Sequence, residues 1–324
     1  MNKLLIRGAV FMTATSILIG FSGLSAIAQS NGESGNGFRI SPVRSELIIE
    51  KGRSSTLTIT VENPTSSPII ARPVVNDFVA SAQEDGEPRL ILDENVPAPK
   101  NSFKTLVGKL DDINLGPEEK KDIDVKVTIP TAASAGGYYG AIRFIPTDVN
   151  NDGNVSLTAS VGTITLVRVP GDLKEQLNLL QFGAGREGKF KSFFTNGDVD
   201  VLTRIDNAGD IHLQPFGKVQ VKNMFGKVVK DYEFNKNQAN ILPGSIRKFQ
   251  DPIGKPSGGL GRYTIEANLG YKQGSGDILT AKASFWYVPV WALVVLGLLL
   301  LAIIGGSLFT VNKFKQKAAK KHKN

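Results

Sequence analysis

From Val288 to Phe309 the chain reads V-P-V-W-A-L-V-V-L-G-L-L-L-L-A-I-I-G-G-S-L-F without one charged side chain. A helix needs about 20 apolar residues to cross a hydrocarbon core of about 30 Å, and this run supplies them. We expect a transmembrane helix over residues 285–311. Trp286, Tyr287 and Trp291 stand at its leading edge, where amphipathic rings favour the headgroup region. Behind it come Lys313, Lys315, Lys317, Lys320, Lys321 and Lys323 with no acid among them. Positive residues stay cytoplasmic, so residues 312–324 read as a basic cytoplasmic tail, and everything before Phe285 as extracellular.

The opposite end agrees. Lys3 and Arg7 precede an apolar stretch from Ala9 to Leu24, and Ala26-Ile27-Ala28 has the small-x-small form of a signal-peptidase site. Residues 1–28 therefore read as a signal peptide cut after Ala28, with an uncleaved anchor as the alternative. Either one sends the next residue outward. Residues 29–37, rich in Gly, Ser and Asn, read as a flexible leader.

A formal charge of +8, from 38 basic and 30 acidic residues, resembles that of a nucleic-acid binder. Setting aside the six tail lysines with Lys3 and Arg7 leaves 30 basic against 30 acidic residues. The ectodomain is formally neutral, so the basic excess is a topological signal and no nucleic-acid partner is expected. Cysteine is absent, which fits an exported protein of a disulfide-poor bacterium and leaves the fold to its hydrophobic core.

Between the two membrane segments the pattern has period two. Thr56-Leu57-Thr58-Ile59-Thr60-Val61 alternates, as does Asp122-Ile123-Asp124-Val125-Lys126-Val127-Thr128-Ile129. Tyr263, Ile265, Ala267, Leu269 and Tyr271 alternate with polar residues or glycine. One buried and one wet face per strand is the signature of antiparallel sandwiches. Turns are marked at Lys51-Gly52, Asn63-Pro64, Gly116-Pro117, Asp152-Gly153, Asn207-Ala208-Gly209, Pro243-Gly244 and Gly274-Ser275-Gly276. The alternation slips phase at Gly162, where a bulge is expected. Lys174 to Leu180 comes nearest to a helical stripe but is short enough to be a strand.

An internal echo divides the ectodomain. Thr60-Val61-Glu62-Asn63 and Arg204-Ile205-Asp206-Asn207 each end a strand in an Asn turn. Proline-led turns follow at Pro117 and Pro243, then glycine-tyrosine entries at Gly136-Gly137-Tyr138 and Gly261-Arg262-Tyr263. We read an all-β chain: two tandem immunoglobulin-like β-sandwiches, 38–170 and 171–284, with Pro170-Gly171 between them, plus one C-terminal transmembrane helix.

These parts resemble the WxL-interacting surface proteins of Gram-positive bacteria. In the first sandwich the resemblance lies in Phe38-Arg39-Ile40-Ser41-Pro42-Val43, Leu57 to Asn63, Val125-Lys126-Val127-Thr128-Ile129-Pro130 and the glycine-rich strand Gly136 to Phe144. In the second it lies in Asn207-Ala208-Gly209-Asp210, Pro215-Phe216-Gly217-Lys218-Val219 and Ile241-Leu242-Pro243-Gly244-Ser245. The resemblance implies a peptidoglycan-binding class for the first sandwich and a class that meets partner proteins for the second.

Catalysis is not expected. With no Cys and His212 as the only ectodomain histidine, Cys-His chemistry and most metal centres drop out. His212 itself reads as a surface or edge residue. Two carboxylates would suffice for glycoside hydrolysis, but Asp111-Asp112 and Glu118-Glu119 sit in turns as solvated charges. Asp148, Asn150 and Asp152, with Gly153 at the sixth position, match the start of a calcium loop. Ala159 stands where its bidentate Glu should be, and a hairpin turn accounts for the same residues. A weak calcium site is thus the only cofactor considered. Tyr138 and Tyr139 are neighbours, so a strand points them to opposite sides; one must meet a surface or an interface. Gly136, Gly137, Tyr138 and Tyr139 are therefore the candidate contact site for peptidoglycan or another wall glycan. The expected function is a membrane-anchored adhesin or scaffold that contacts the wall and a secreted partner protein. The alternative is a chaperone-like subunit that holds exported clients at a sheet edge.

Overall fold

The computed structural model describes residues 38–93, 95–148, 160–257, 259–272 and 277–321, without the side chains of Asp148 and of residues after Phe314. The signal peptide with Ala26 and Ala28, the leader 29–37, Asn150, Asp152 and the turn at Gly274-Ser275-Gly276 lie outside those residues.

The first strands are β1 (Arg39–Ser41), β2 (Arg44–Ile48), β3 (Ser54–Glu62), β4 (Ile69–Ala80), β5 (Pro88–Leu90), β6 (Ile113–Leu115), β7 (Lys120–Thr128), β8 (Gly136–Asp148) and β9 (Val161–Val169). The two segments that alternate most regularly, β3 and β7, pair with each other. Leu57, Ile59, Val61, Val125 and Val127 are buried on one face. On the wet face Thr58 Oγ1 donates to Asp124 Oδ1 and Thr60 Oγ1 to Asp122 Oδ1, each at 2.7 Å. With β1 they form one sheet, and β2-β9-β8-β4-β5 form the other, with β6 also on β4. A core running from Phe38 to Val169 lies between them.

Next come β10 (Leu177–Arg186), β11 (Lys189–Phe190), β12 (Phe193–Phe194), β13 (Val199–Asn207), β14 (Phe216–Lys222), β15 (Val228–Phe234), β16 (Ile246–Gly254), β17 (Gly261–Gly270) and β18 (Ile278–Tyr287). They make the sheets β11-β10-β13-β16 and β12-β18-β17-β14-β15. Their core draws on Leu177 to Tyr287. Tyr263 stacks on Phe285 with ring centroids 5.3 Å apart, and Phe194 meets Phe285 edge-on at 5.6 Å; pairs of this kind contribute about 0.5–1.5 kcal/mol beyond burial. Of the ambiguous segment Lys174 to Leu180, the part from Leu177 on starts β10, and Lys174 to Gln176 precede it outside any helix or strand.

The echo in the sequence has a structural counterpart. Asn63 and Asn207 are both fully buried. Asn63 Nδ2 donates to the carbonyls of Ser67 and Gly116, both at 2.8 Å, while its Oδ1 accepts from Thr65 N at 3.0 Å. Asn207 Nδ2 donates to Ile211 O (2.8 Å) and Ile241 O (2.7 Å), and its Oδ1 accepts from Gly209 N at 2.9 Å. Each asparagine thus binds the chain two and four residues on, plus one distant carbonyl. Tyr138 and Tyr263 repeat as well, donating to Ser134 O (3.0 Å) and Gly259 O (2.8 Å). Both are tyrosine corners of the type found in immunoglobulin sandwiches.

Two expectations need correction. At Gly162 there is no bulge: β8 and β9 keep one register from Gly136↔Val169 to Phe144↔Val161. The glycine gives room to its neighbour strand, since a Cβ there would lie 2.8 Å from Arg143 Cγ and 3.0 Å from Ile142 O. Nor does the membrane helix begin at Phe285. β18 runs through Tyr287, with Phe285 and Tyr287 turned into the second core and Trp286 out. Pro289 disfavours helix in the residue before it, and its carbonyl accepts from Ala292 N at 2.9 Å as α1 (Val290–Lys321) starts. From Val290 to Phe314 this helix is long and apolar enough to cross a membrane. Its apolar side chains point outward all round, which suits lipid and not water. The helix continues through the lysines of the expected tail as far as Lys321.

Candidate functional site

The glycine-rich start of β8 packs against the second sandwich. Gly136, Gly137 and Tyr138 are buried and Tyr139 is half-buried. Gly137 N donates to Asp210 O at 3.2 Å. The Tyr139 ring folds back over Gly137, where a Cβ would lie 1.8 Å from the hydroxyl. That hydroxyl accepts from His212 N at 2.8 Å and lies 3.3 Å from Nδ1. Donation to Nδ1 puts the imidazole proton on Nε2, which is 3.9 Å from Glu46 Oε2. The rings of Tyr139 and His212 meet edge-on, with centroids 5.6 Å apart.

More polar contacts surround this centre. Glu46 Oε1 accepts from Asn240 Nδ2 at 3.0 Å and also pairs with Arg44. The turn after β4 brings Glu84, at φ 61°, to Arg204 on β13, which donates from Nε at 2.7 Å and from a terminal nitrogen at 2.5 Å. These bonds hold the Glu84 carboxyl below its ordinary range. Lys248 N donates to Glu84 O at 2.7 Å. Bidentate guanidinium–carboxylate pairs fix geometry as well as adding energy.

A different region offers open backbone. β4 pairs with β8 along Ile69–Asp77, but its other edge is covered only at the ends. β6 takes Ile69 to Ala71, and β5 takes Phe78 to Ala80. Between them no strand among the described residues pairs with that edge. Residues of an antiparallel strand present N–H and C=O to the same side, alternating along the chain. Ile91 N donates to Asp77 O at 2.8 Å, so Asp77 faces this edge, and so by alternation do Val75 and Pro73. The edge therefore exposes the N–H and C=O of Val75 and the C=O of Pro73. Proline suits that place because its missing N–H would have pointed outward.

The loop from Ile91 to Asp112 stands off this edge and leaves a groove of about 890 Å³. Arg72, Val74, Val96, Lys109 and Arg143 are among its walls. The loop is pinned from within: Phe103 and Leu106 are buried, and Asp77 accepts from Ser102 Oγ at 2.6 Å and Lys104 N at 3.0 Å. Asn76 bridges the groove floor, donating to Ile91 O at 3.0 Å and accepting from Arg143 Nε at 2.9 Å.

No protein-family model matches the chain, and no curated protein matches it. Among solved structures it is similar to the class 5 fimbriae chaperone CfaA, at 13% identity over 78% of this chain and 100% of that one, with a TM-score of 0.40. It is also similar to the E. coli chaperone DraB, at 15% identity over 77% and 96% of the two chains, with a TM-score of 0.35. The periplasmic chaperone SfaE gives 10% identity over 76% and 99%, with a TM-score of 0.31.

The expected contact residues thus come together, but at an internal junction. Tyr138 fills the first core, and Tyr139 is held by His212 and by Phe78, whose ring centroid is 5.9 Å away. The sequence makes this pair the candidate contact site for a wall glycan, with one ring at a surface or an interface. Tyr138 is enclosed in the first core, and the Tyr139 ring, folded over Gly137, keeps one side on a groove of about 320 Å³ shared with Phe78, Asp210 and Leu242. His212, expected at a surface or edge, is also enclosed, with 11% of its side chain exposed. Of the calcium-loop residues only the backbone of Asp148 is described, as the last residue of β8. Among the described residues no group of three or more acidic or histidine side chains could hold a metal ion. The groove on β4 was not anticipated; its one sequence signal is Pro73 inside a β-type run.

Enclosure gives the junction a pH dependence. Burial pushes the His212 imidazole below its ordinary 6.5; Glu46 opposes this, and Arg44 and Arg168 reinforce it. The folded state prefers the neutral ring, so its stability is retained above pH 6.5 and declines as pH falls below it. The full chain in detergent should show a lower thermal midpoint at pH 5.5 than at pH 7.5, and His212→Gln should flatten that slope. An unchanged slope in the variant would assign the effect elsewhere.

Proposed function

We propose that this chain is a membrane-anchored surface protein whose two β-sandwiches bind, and do not turn over, an exported protein partner. An extended segment of that partner would add as a strand to the open edge of β4. The observation that carries this reading is the open outer edge of β4 at Pro73 and Val75, bounded by β6 and β5 and facing a groove. Strand addition takes affinity from main-chain hydrogen bonds and specificity from pockets for alternate side chains. Protein edges left open in this way are usually shielded, and here the Ile91–Asp112 loop shields one without filling it. The sandwiches would lie outside the cell with the lysine tail inside, as the positive-inside rule requires. A wall-glycan ligand on Tyr138 and Tyr139 is less well supported, since Tyr138 is in the core and the Tyr139 ring is engaged by His212 and Phe78.

The cysteine-free chain makes the test direct. Linear peptides selected on the full chain in detergent should bind through their backbones, and methylating alternate amide nitrogens should abolish binding. A bulky maleimide on Val74→Cys should block them, while the same adduct on Lys126→Cys, exposed on β7, should not. Peptides that tolerate N-methylation and the Val74 adduct would refute edge addition. Sedimentation of the chain with purified peptidoglycan, without peptide binding, would restore the wall reading.

A further inference from the structure

At the end of the second sandwich nearest α1, apolar side chains project that the fold does not use. Phe225, at the tip of the turn between β14 and β15, is 85% exposed. This turn is built firmly. Asn223 Oδ1 accepts from Phe225 N and Lys227 N, both at 3.0 Å, and Gly226, at φ 79°, donates to Asn223 O at 2.9 Å. Beside it, the Met224 methyl lies against Gly261, where a Cβ would be only 2.8 Å away. Gly261 pairs with Tyr287 at the end of β18. One residue along, Arg262, Trp286 and Phe193 pair in a row across β17, β18 and β12, all three exposed. Leu260 is exposed in the loop before them.

Only Val288 and Pro289 separate Tyr287 from the first residue of α1. Three extended steps of chain reach at most about 11 Å, so the end of β18 lies within about that distance of the first turn of α1, and β17 and β14 bring the rest of the rim to the same end of the sheet. Exposed Lys191, Lys227, Lys255 and Arg262 accompany the apolar groups, with Asp198 as an acidic neighbour. Aromatic rings favour the headgroup region and basic side chains are drawn to anionic lipid, so this combination suits the membrane interface.

We infer that this rim, with Phe225, Met224, Leu260, Phe193 and Trp286 as its apolar groups, rests in the phospholipid headgroup layer of the membrane that α1 crosses. The occupant of the exposed apolar surface is lipid. Seating the rim orients the second sandwich on the bilayer, so that the ectodomain is held at a fixed tilt by two attachments instead of swinging on one. The inference rests on the anchored topology but not on the β4 groove.

The test uses the full chain in vesicles of phosphatidylcholine and phosphatidylglycerol, with single cysteines carrying an environment-sensitive fluorophore. Phe225→Cys marks the rim. Ile278→Cys marks the far end of β18, about 30 Å away along the strand. Leu300→Cys marks the middle of α1. A headgroup nitroxide lipid should quench the Phe225 label several-fold more than the Ile278 label, with aqueous iodide giving the reverse order. A deep-chain nitroxide should quench the Leu300 label. If the Leu300 label responds and the Phe225 label behaves like the Ile278 label, the rim does not touch lipid and the inference fails. If the Leu300 label does not respond, the anchor itself is wrong.

Discussion

Replacing Asn207 with alanine should lower the unfolding free energy of the full chain by about 3–5 kcal/mol, as much as truncating a large core side chain. The side chain is fully buried and saturates three backbone groups: two carbonyls from Ile211 and Ile241, and the amide of Gly209. Alanine fills none of these roles. Each polar group left unpaired in a dry interior costs about 1–3 kcal/mol, and the vacated volume adds to that. Asn207→Asp should fare no better, because it keeps the acceptor for Gly209 N but loses both donors and adds a charge. Asn63→Ala should cost less, about 1–3 kcal/mol, because the Ser67 carbonyl keeps the Thr65 hydroxyl at 3.0 Å. Denaturant unfolding in detergent followed by circular dichroism measures all three. A loss below about 1 kcal/mol for Asn207→Ala would mean that water reaches the site.

The same asparagines show how far the sequence could be read. Period-two alternation located β3, β7 and β17 because burial follows it directly: Leu57, Ile59 and Val61 are buried, as are Tyr263, Ile265, Ala267 and Leu269. The asparagine turns and glycine-tyrosine entries were visible as a repeat because their bonds are local, reaching two or four residues along the chain. Long-range contacts were not visible. The adjacent tyrosines of β8 point to a surface or an interface without saying which, and it is Gly137 that makes room for Tyr139 and Gly140 for Phe103, whose Cδ1 would lie 2.1 Å from an added Cβ. A sequence shows that a side chain is missing but not which distant ring takes its place. His212 reads as a surface or edge residue in the sequence because its partner Tyr139 stands 73 positions away. The open edge of β4 depends on where β5 stops and β6 starts against it, a matter of register that no local pattern encodes.

Gly217→Ala should be comparably damaging, at about 2–6 kcal/mol, combining backbone strain with overpacking. Gly217 has φ 156°, outside the range comfortable for side-chain-bearing residues, and an added Cβ would lie 2.1 Å from Asn268 O and 3.0 Å from Leu269 Cα. These obstacles are backbone, so no rotamer change relieves them. β14 is also paired on both sides, with Leu269 of β17 and Phe234 of β15 opposite this residue. Moving away from one neighbour would push it into the other. Gly270 provides the contrast in the same pair of strands. Its Cβ would meet only the ring of Phe216, at 3.1 Å, and that ring is half-exposed and free to swing. Gly270→Ala should therefore stay within about 1 kcal/mol of wild type. Phe216 and Gly217 thus play opposite parts: the phenylalanine is a movable cover over a glycine, and the glycine is a contact point between two backbones. Equal losses for the two alanine variants would show that the strands, and not only the ring, can yield.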